Sequence, residues 1–573
     1  MSVLGKTWKV QNEDSTLNVA EKVLANRGLK TKKKVDEFLK LSFKKGMHNP
    51  FVMKDMDKAI KRLEDAIKNE DRIMIFGDYD VDGISGTAIL VHALKLLGAK
   101  VSYRLPHRVE NGYGLSNEFI EEFAELGVKL LITVDCGISC KEQIDLAAEK
   151  GVDVIITDHH TIPEVIPDKA KAILHPGQPG CEYPFKGLTG AGVAYKLACA
   201  LITDQCNAED REKYIYALLD LASLGTVADL GPLIDENRII VKYGLQALQH
   251  TRWHGLEYLK SLAGIEPGAK VDINTIGFCL GPRINAAGRI DNPYYALQLL
   301  LYEEGENDKA KLIAEHLESL NRKRQKMVAD ALEQLESRVK EDQDGASLIM
   351  AWDQNWHVGI LGLLAAKCVE RHNAPTIIMQ DFGDELVGSS RGPKWFNLVE
   401  ALTEHKKLLK TFGGHTQAAG FTVEKENLEE FRDSMQAYAK EKLEDADWDP
   451  TIEIDCELSD GDIDDGLVNF LEQLAPYGIG NKQPVFLIKN LAVDDVRRVG
   501  KEQNHLHFKV HTPTKRLSVI GFKLGDQEPF LRDNRTIDLV CYLERNEWKG
   551  RTKLQLRALD LAASQSAVTT EAA

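Results

Sequence analysis

Residues 72–83 read R-I-M-I-F-G-D-Y-D-V-D-G, which puts Asp78, Asp80 and Asp82 within five positions. Carboxylates this close raise one another's pKa. A fold tolerates the cluster when a divalent cation sits among the oxygens; the plainer alternative is a polar loop with chance acids. Three later stretches supply matching groups: Asp135 in V-D-C-G, Asp158, His159 and His160 in T-D-H-H, and Asp229 in G-T-V-A-D-L-G. Asp oxygen with His nitrogen, and no thiolate, suits Mn²⁺ or Mg²⁺ rather than zinc. Two such ions, roughly 3.5–4 Å apart, need a bridging carboxylate with separate ligands on each side. Asp80 and Asp82 would reach different ions, Asp135 would bridge them, and His159 and Asp229 would complete the second. An ion pair of this kind activates water and steadies both oxygens of an in-line phosphoryl displacement. Hydrolysis of a phosphodiester or phosphoanhydride is the expected reaction.

These groups need elements that bring them together. Residues 73–76 form a continuous apolar run, as expected of a strand buried on both faces of a parallel sheet. The stretch after Gly83 reads as a helix closed by Gly98, followed by a strand over 101–105. Two more apolar strands, 130–134 and 154–157, end in Asp135 and Asp158, with helical character over 141–150. Residues 214–224 read as a buried helix running into a turn that holds Asp229. This is β/α alternation with acids at the carboxyl ends of strands, where open parallel sheets bind their ligands.

Other residues could handle substrate. The loop P-H-R-V-E-N-G-Y-G-L-S offers Arg108 to grip a phosphate and Tyr113 to stack on a base; a plain surface loop is the alternative. The Gly-rich stretch from Asn274 sets Arg283, Asn285 and Arg289 in or beside a tight turn, with Arg283 suited to charge on a pentacovalent phosphate. A simple packing turn with surface arginines would look the same. Residues 309–339 lack Pro and Gly and repeat apolar residues at helical spacing, predicting a long helix between two domains with Arg322, Lys323, Arg324 and Lys326 solvated. Residues 346–443 read as a second α/β unit, with His357 at a helix start. There Ser389, Ser390 and Arg391 make an anion pocket, and Gly413, Gly414 and His415 open a helix whose amides face phosphate.

Composition narrows the class. The chain has 573 residues and a net charge of −16, so it is not coated for nucleic acid as a whole. Charge is segregated, however: residues 481–560 hold sixteen Lys and Arg against ten Asp and Glu. Short strands over 450–562, with Phe508, Phe522, Tyr542 and Trp548 among them, predict a small OB-type barrel that tracks single-stranded DNA. Nine unpaired cysteines, no membrane-length apolar run and no secretory signal point to a cytoplasmic protein. The expected layout is an α/β protein of two lobes joined by a long helix, plus a C-terminal β-barrel. Its segments are a helical stretch over 1–45, a metal-binding lobe over 46–235, a helical region over 236–340, the second lobe over 341–445, the barrel over 450–562 and a disordered tail over 563–573. The layout is self-contained, which suggests a monomer.

The motifs D-Y-D-V-D-G, V-D-C-G, T-D-H-H and G-T-V-A-D-L resemble the four successive motifs of the DHH phosphoesterase superfamily. G-P-R-I-N-A-A-G-R, G-S-S-R-G and G-G-H-T-Q-A-A-G extend the likeness, over most of the chain, to its single-stranded-DNA exonucleases. The resemblance implies a metal-dependent 5′→3′ exonuclease releasing 5′-mononucleotides in DNA repair and recombination, with a single-strand-binding protein and a helicase as partners. It also implies that His160 contacts the scissile phosphate and that the second lobe is the DHH-associated domain. Ser389 and Arg391 would recognise the 5′ end. One position departs: some members carry a metal-binding His where Phe76 stands, so Asp78 or a water completes the first ion. Two other readings stand beside this one. Another superfamily enzyme would act on short oligonucleotides, cyclic dinucleotides or pyrophosphate, and has no need of the barrel. A DNA-binding scaffold with a decayed site would bind without cutting.

Overall fold

A computed structural model describes residues 2–108, 112, 114–302, 307–342, 347–444, 450–548 and 551–564. The chain divides into two compact units, Phe43–Asp447 and Met1–Ser42 with Trp448–Ala573. Among the described residues no helix is long and apolar enough to cross a membrane.

The larger unit opens with a five-stranded, all-parallel sheet. Its spatial order is Val101–Arg104, Ile73–Gly77, Leu130–Val134, Asp153–Thr157, Ala172–Leu174. The chain runs outward from Ile73–Gly77 on one side and then returns to build on the other. The switch point therefore lies between the carboxyl ends of Ile73–Gly77 and Leu130–Val134, where such sheets bind ligands. Strands Ile73–Gly77 and Leu130–Val134 are buried throughout, which explains their unbroken apolar runs. Helix Val81–Leu96 is buried along most of its length, packed against helices Gly190–Gln205 and Leu219–Ala228.

A 36-residue helix, Asn307–Asp342, leads from this lobe to the next; it is about 54 Å long at helical rise. It packs on helices His254–Leu262 and Gly281–Ile290 at one end and meets helix Val358–His372 of the second lobe. The expected solvated face holds for Arg322, Lys323 and Lys326, but Arg324 is half-buried. The second lobe carries a mixed five-stranded sheet in the order Leu409–His415, Ala418–Glu424, Glu385–Arg391, Thr376–Asp381, Ile349–Asp353. Only its last two strands run parallel. Here the expectation for Gly413, Gly414 and His415 is corrected. They end a strand rather than open a helix, because His415 pairs with Ala418 across a two-residue hairpin turn.

The smaller unit is a closed barrel of five strands: Phe486–Val499, His505–His511, Arg516–Gly521, Arg551–Ala563 and Thr536–Trp548, the last pairing back to the first. Closure leaves the barrel no free sheet edge. Phe508 is fully buried in its core, whereas Phe522 is exposed. The first residues belong to this unit: strand Thr7–Val10 pairs with Thr451–Ile454, and Val19, Val23 and Leu24 share the barrel's core. The N-terminal stretch is therefore not purely helical. Residues 565–573, most of the expected disordered tail, lie outside the described residues.

Candidate metal centre and phosphate pocket

The acidic loop follows directly from the strand that carries it. After Gly77 the chain turns into helix Val81–Leu96, with Asp80 as its N-cap, accepting from Asp82 N at 2.9 Å and Gly83 N at 3.1 Å. Asp82, one residue into the helix, is buried and points at a second helix start. Its oxygens accept from Gly190 N at 2.6 Å, Ala191 N at 2.9 Å and Thr189 Oγ1 at 2.9 Å. On the neighbouring strand Asp135 stands at the switch point with φ +61°, a left-handed backbone that non-glycine residues adopt at a cost. Gly190 is what lets the second helix come so close: a Cβ there would lie 2.5 Å from Asp135 Cβ.

Ligand atoms then converge in three overlapping groups: Asp78, Asp80 and Asp135; Asp82, His159 and Asp229; and Asp135, His159 and His160. His159 Nε2 lies 3.0 Å from Asp135 Oδ1, 3.7 Å from Asp229 Oδ2 and 3.9 Å from Asp82 Oδ2. Asp135 belongs to groups on both sides, as a bridging carboxylate must. Asp80 and Asp82 fall in different groups. Asp229 caps the C-terminus of helix Leu219–Ala228 and lies in the expected turn that follows it.

The electrostatics fit cations at these positions. Burial first, and then the Asp80 charge, push Asp78 up to about 8 and Asp82 up to about 7. Asp135 is raised well above the usual carboxylate range by burial and by Asp82, Asp80 and Asp78. Asp229, nearest solvent, is also raised, again by burial and its acidic neighbours. Burial and the charge of His160 lower His159 to about 4, so its ring is neutral at pH 7 and could serve as a candidate ligand. Among the described residues Asp78 Oδ1 and His159 Nε2 have no hydrogen-bond partner, although both are buried. Buried polar atoms that converge without satisfying one another are what an ion site leaves behind when only protein is considered. Phe76 is turned away into the apolar core against Phe119, with ring centroids 5.2 Å apart, so Asp78 is the residue that joins Asp80 and Asp135.

Asp158, the D of T-D-H-H, holds the histidines from behind. Its Oδ1 accepts from His159 N at 2.7 Å and His160 N at 3.1 Å, and lies 2.8 Å from His160 Nδ1; Ile138 N donates to Oδ2 at 2.9 Å. Burial alone would lower His160, but Asp158 outweighs it and holds the imidazole up at about 9. In the sequence Asp158 is one more strand-end acid of T-D-H-H; its partners in the fold make it a brace for the histidines. From the second lobe, His415 lies parallel to His160, with ring centroids 6.4 Å apart.

Beside the acids stands a group of guanidiniums. Arg108 lies over the Tyr79 ring at 4.1 Å and donates to Gly288 O at 3.3 Å. Arg289 donates to Gly359 O at 3.2 Å, and Arg391 to Ser389 Oγ at 3.3 Å and Ser390 O at 2.7 Å. Burial, then Arg108, Arg324 and Arg391, bring Arg289 down to about 9. Among the described residues none of these four arginines forms an ion pair with a carboxylate. A helix glycine makes the fit possible, since a Cβ on Gly359 would lie 1.8 Å from Arg289 O.

Three expectations are corrected here. Arg283 Nε bonds Glu318 at 2.7 Å and its Nη1 bonds Cys279 O at 2.7 Å, so it is a structural clasp to the long helix; Arg289, two turns on, joins the pocket instead. Its segment is a helix, Gly281–Ile290, not a turn. Ser390 alternates to the opposite face of its strand, buried and donating to Ala419 O at 3.0 Å, while Ser389 and Arg391 share the pocket face. Asn285 accepts from Val81 N at 3.2 Å, so it braces the acidic loop. Tyr113 lies outside the described residues.

A parallel-sheet lobe with an Asp–His cluster at its switch point, facing a cationic pocket shared with a second lobe, defines a DHH phosphoesterase. Family models match accordingly: the DHH family N-terminal domain over residues 72–226, the DHHA1 domain over 345–441 and the RecJ OB domain over 454–560. The chain is 35% identical to the single-stranded-DNA-specific exonuclease RecJ of Bacillus subtilis, over 97% of its own length and 71% of that protein's. It is 32% identical to RecJ of Dickeya dadantii, over 96% and 97%. The crystal structure of Thermus thermophilus RecJ in complex with Mn²⁺ superimposes with a TM-score of 0.81 at 29% identity, covering 98% of this chain and 80% of that one. The chain belongs to the RecJ family.

Proposed function

We infer that this chain is a cytoplasmic, divalent-cation-dependent exonuclease that removes 5′-mononucleotides from single-stranded DNA, working 5′→3′ in repair and recombination. The single observation that carries the reading is the joint placement of an acidic cluster and an unneutralised arginine pocket one residue apart. Asp78 and Asp80 belong to the cluster, and Tyr79 between them lies under Arg108. A strand whose terminal phosphate sits among Arg108, Arg289, Arg391 and Ser389 would present its next phosphodiester to the acids. Single nucleotides would then be released, and the 5′ sense comes from the family likeness.

Asp78, Asp80 and Asp135 would hold one Mn²⁺ or Mg²⁺, and Asp82, His159 and Asp229 the other, with Asp135 shared. Ions there supply an activated water and neutralise charge on the displaced oxygen. The chain's own groups do the rest. His160, kept charged by Asp158, donates toward the scissile phosphate. The arginines fix the strand's end bidentately. Arg283 stands outside this machinery. The barrel unit, with its cationic stretch, supports grip on a longer strand, a need that short oligonucleotides and cyclic dinucleotides do not have. A single-strand-binding protein and a helicase are the expected partners of a monomer.

Digestion of a 5′-phosphorylated strand carrying one label at each end tests this. The 5′ label is expected to leave first, as a mononucleotide; first release from the 3′ end, or release as oligonucleotides, would contradict it.

A further inference from the structure

Two large apolar side chains near the candidate metal centre are mostly exposed. Leu230 follows Asp229 directly, is 67% exposed and has a left-handed backbone with φ +59°. It occupies the position just past a helix cap, where glycine usually takes this conformation and a Cβ is disfavoured. Gly231 N, donating to Thr226 O at 2.9 Å, closes the helix end around it. Phe278 is 78% exposed, more than any other large apolar residue among those described. It lies in the wide helical turn Thr275–Leu280, whose Ile276 and Leu280 are buried, so the turn is anchored while Phe278 is held outward.

Both residues flank the end of helix Leu219–Ala228 that delivers Asp229. That helix packs against the Thr275–Leu280 turn, and a Cβ on Gly281 would lie 4.0 Å from Ala228 Cβ. From Phe278 the chain continues as helix to Asn285, the brace of the acidic loop; seven residues are about 10 Å of helix. Leu230 is a neighbour of a candidate ligand, and Phe278 lies on the helical segment whose Asn285 accepts from Val81 N in the acidic loop.

We propose that Leu230 and Phe278 form a base-contacting edge of the active site, packing against the bases of the DNA strand whose phosphate lies on the acidic cluster. The proposal rests on the exonuclease reading and extends it to substrate selection. What enters beside Asp229 carries phosphate, and the apolar part of such a substrate is its bases. Unpaired bases offer open π-faces to an aromatic ring, whereas stacked bases in a duplex have those faces covered. An apolar edge at this point therefore favours a single strand without reading its sequence.

The test uses the full chain with Phe278→Ala, Phe278→Tyr and Leu230→Gly, on a 5′-phosphorylated oligothymidylate of about thirty nucleotides. Phe278→Ala and Leu230→Gly are each expected to raise KM, and the Kd measured by anisotropy in EDTA, by about tenfold. The kcat and the Mn²⁺ concentration needed should stay at parental values. Phe278→Tyr should behave as the parent, and the Tm of Leu230→Gly should not fall, because glycine suits the left-handed position. Parental KM and Kd in both variants, or a fall in kcat and Tm together, would overturn the proposal. A parent protein that binds Mn²⁺ yet leaves the oligonucleotide intact would overturn the exonuclease reading first, and this edge with it.

Discussion

Asp135 and Asp158 carry the same side chain at two adjacent strand ends, and the structure gives them opposite work. Asp135 faces the cluster and has His159 Nε2 3.0 Å away; Asp158 is spent on three backbone amides, Ile138 N, His159 N and His160 N, and on the His160 ring. Asp135→Asn should lower hydrolysis by about a thousandfold or more, the scale seen when charge stabilisation at a reacting centre is lost, while anisotropy still reports DNA binding. Asp158→Asn should cost about ten- to a hundredfold, as for groups that orient ligands. The raised carboxyls also set a pH dependence. A carboxyl raised in the fold keeps a proton that the unfolded chain has already lost. Metal-free protein therefore loses stability as pH climbs from about 4, the unfolded value, through the folded values of about 7 and about 8 at Asp82 and Asp78. Cations replace those protons, so the rise in Tm on adding Mn²⁺ should grow between about pH 6 and about pH 8. A pH-independent rise in calorimetry would contradict this.

At the scale of elements, the candidate ligands are held where strands and helices end, and this is the part of the fold most legible in the sequence. Apolar runs stopping at Asp78, Asp135 and Asp158 mark buried parallel strands, because only strands covered on both faces are apolar without a break. Side-chain direction was less legible. Ser390 sits between two pocket residues in sequence, yet the period of two sends it into the core. Arg283 and Arg289 are six apart on one helix, and only tertiary partners such as Glu318 decide which one is occupied elsewhere. The hairpin at His415 was hidden by its paired glycines, which suit a helix start as well as a strand in close contact. Packing between helices predicts a further effect. Gly359→Ala would force Arg289 away, costing about 1–3 kcal/mol of stability, and should weaken preference for a 5′-phosphorylated over a 5′-hydroxyl end. Arg391→Ala should lose that preference with Tm nearly unchanged; competition between the two ends measures both.

At the scale of the whole molecule, a net charge of −16 coexists with a cationic barrel stretch, so global charge says little about what the chain binds. The barrel was legible from its short strands. The N-terminal strand Thr7–Val10 was not, since its partner Thr451–Ile454 is over four hundred residues away and leaves no local trace. If the barrel holds the strand, oligonucleotides of about thirty residues should bind at least about tenfold more tightly than tetranucleotides, with affinity falling as salt rises; equal affinities would argue against that role. Side chains remote in sequence converge around Asp135, which two ions would share. Anomalous scattering from crystals soaked in Mn²⁺ tests it most directly: two peaks about 3.5–4 Å apart with Asp135 touching both are expected. A single peak, or Asp135 turned away from two, would contradict the account.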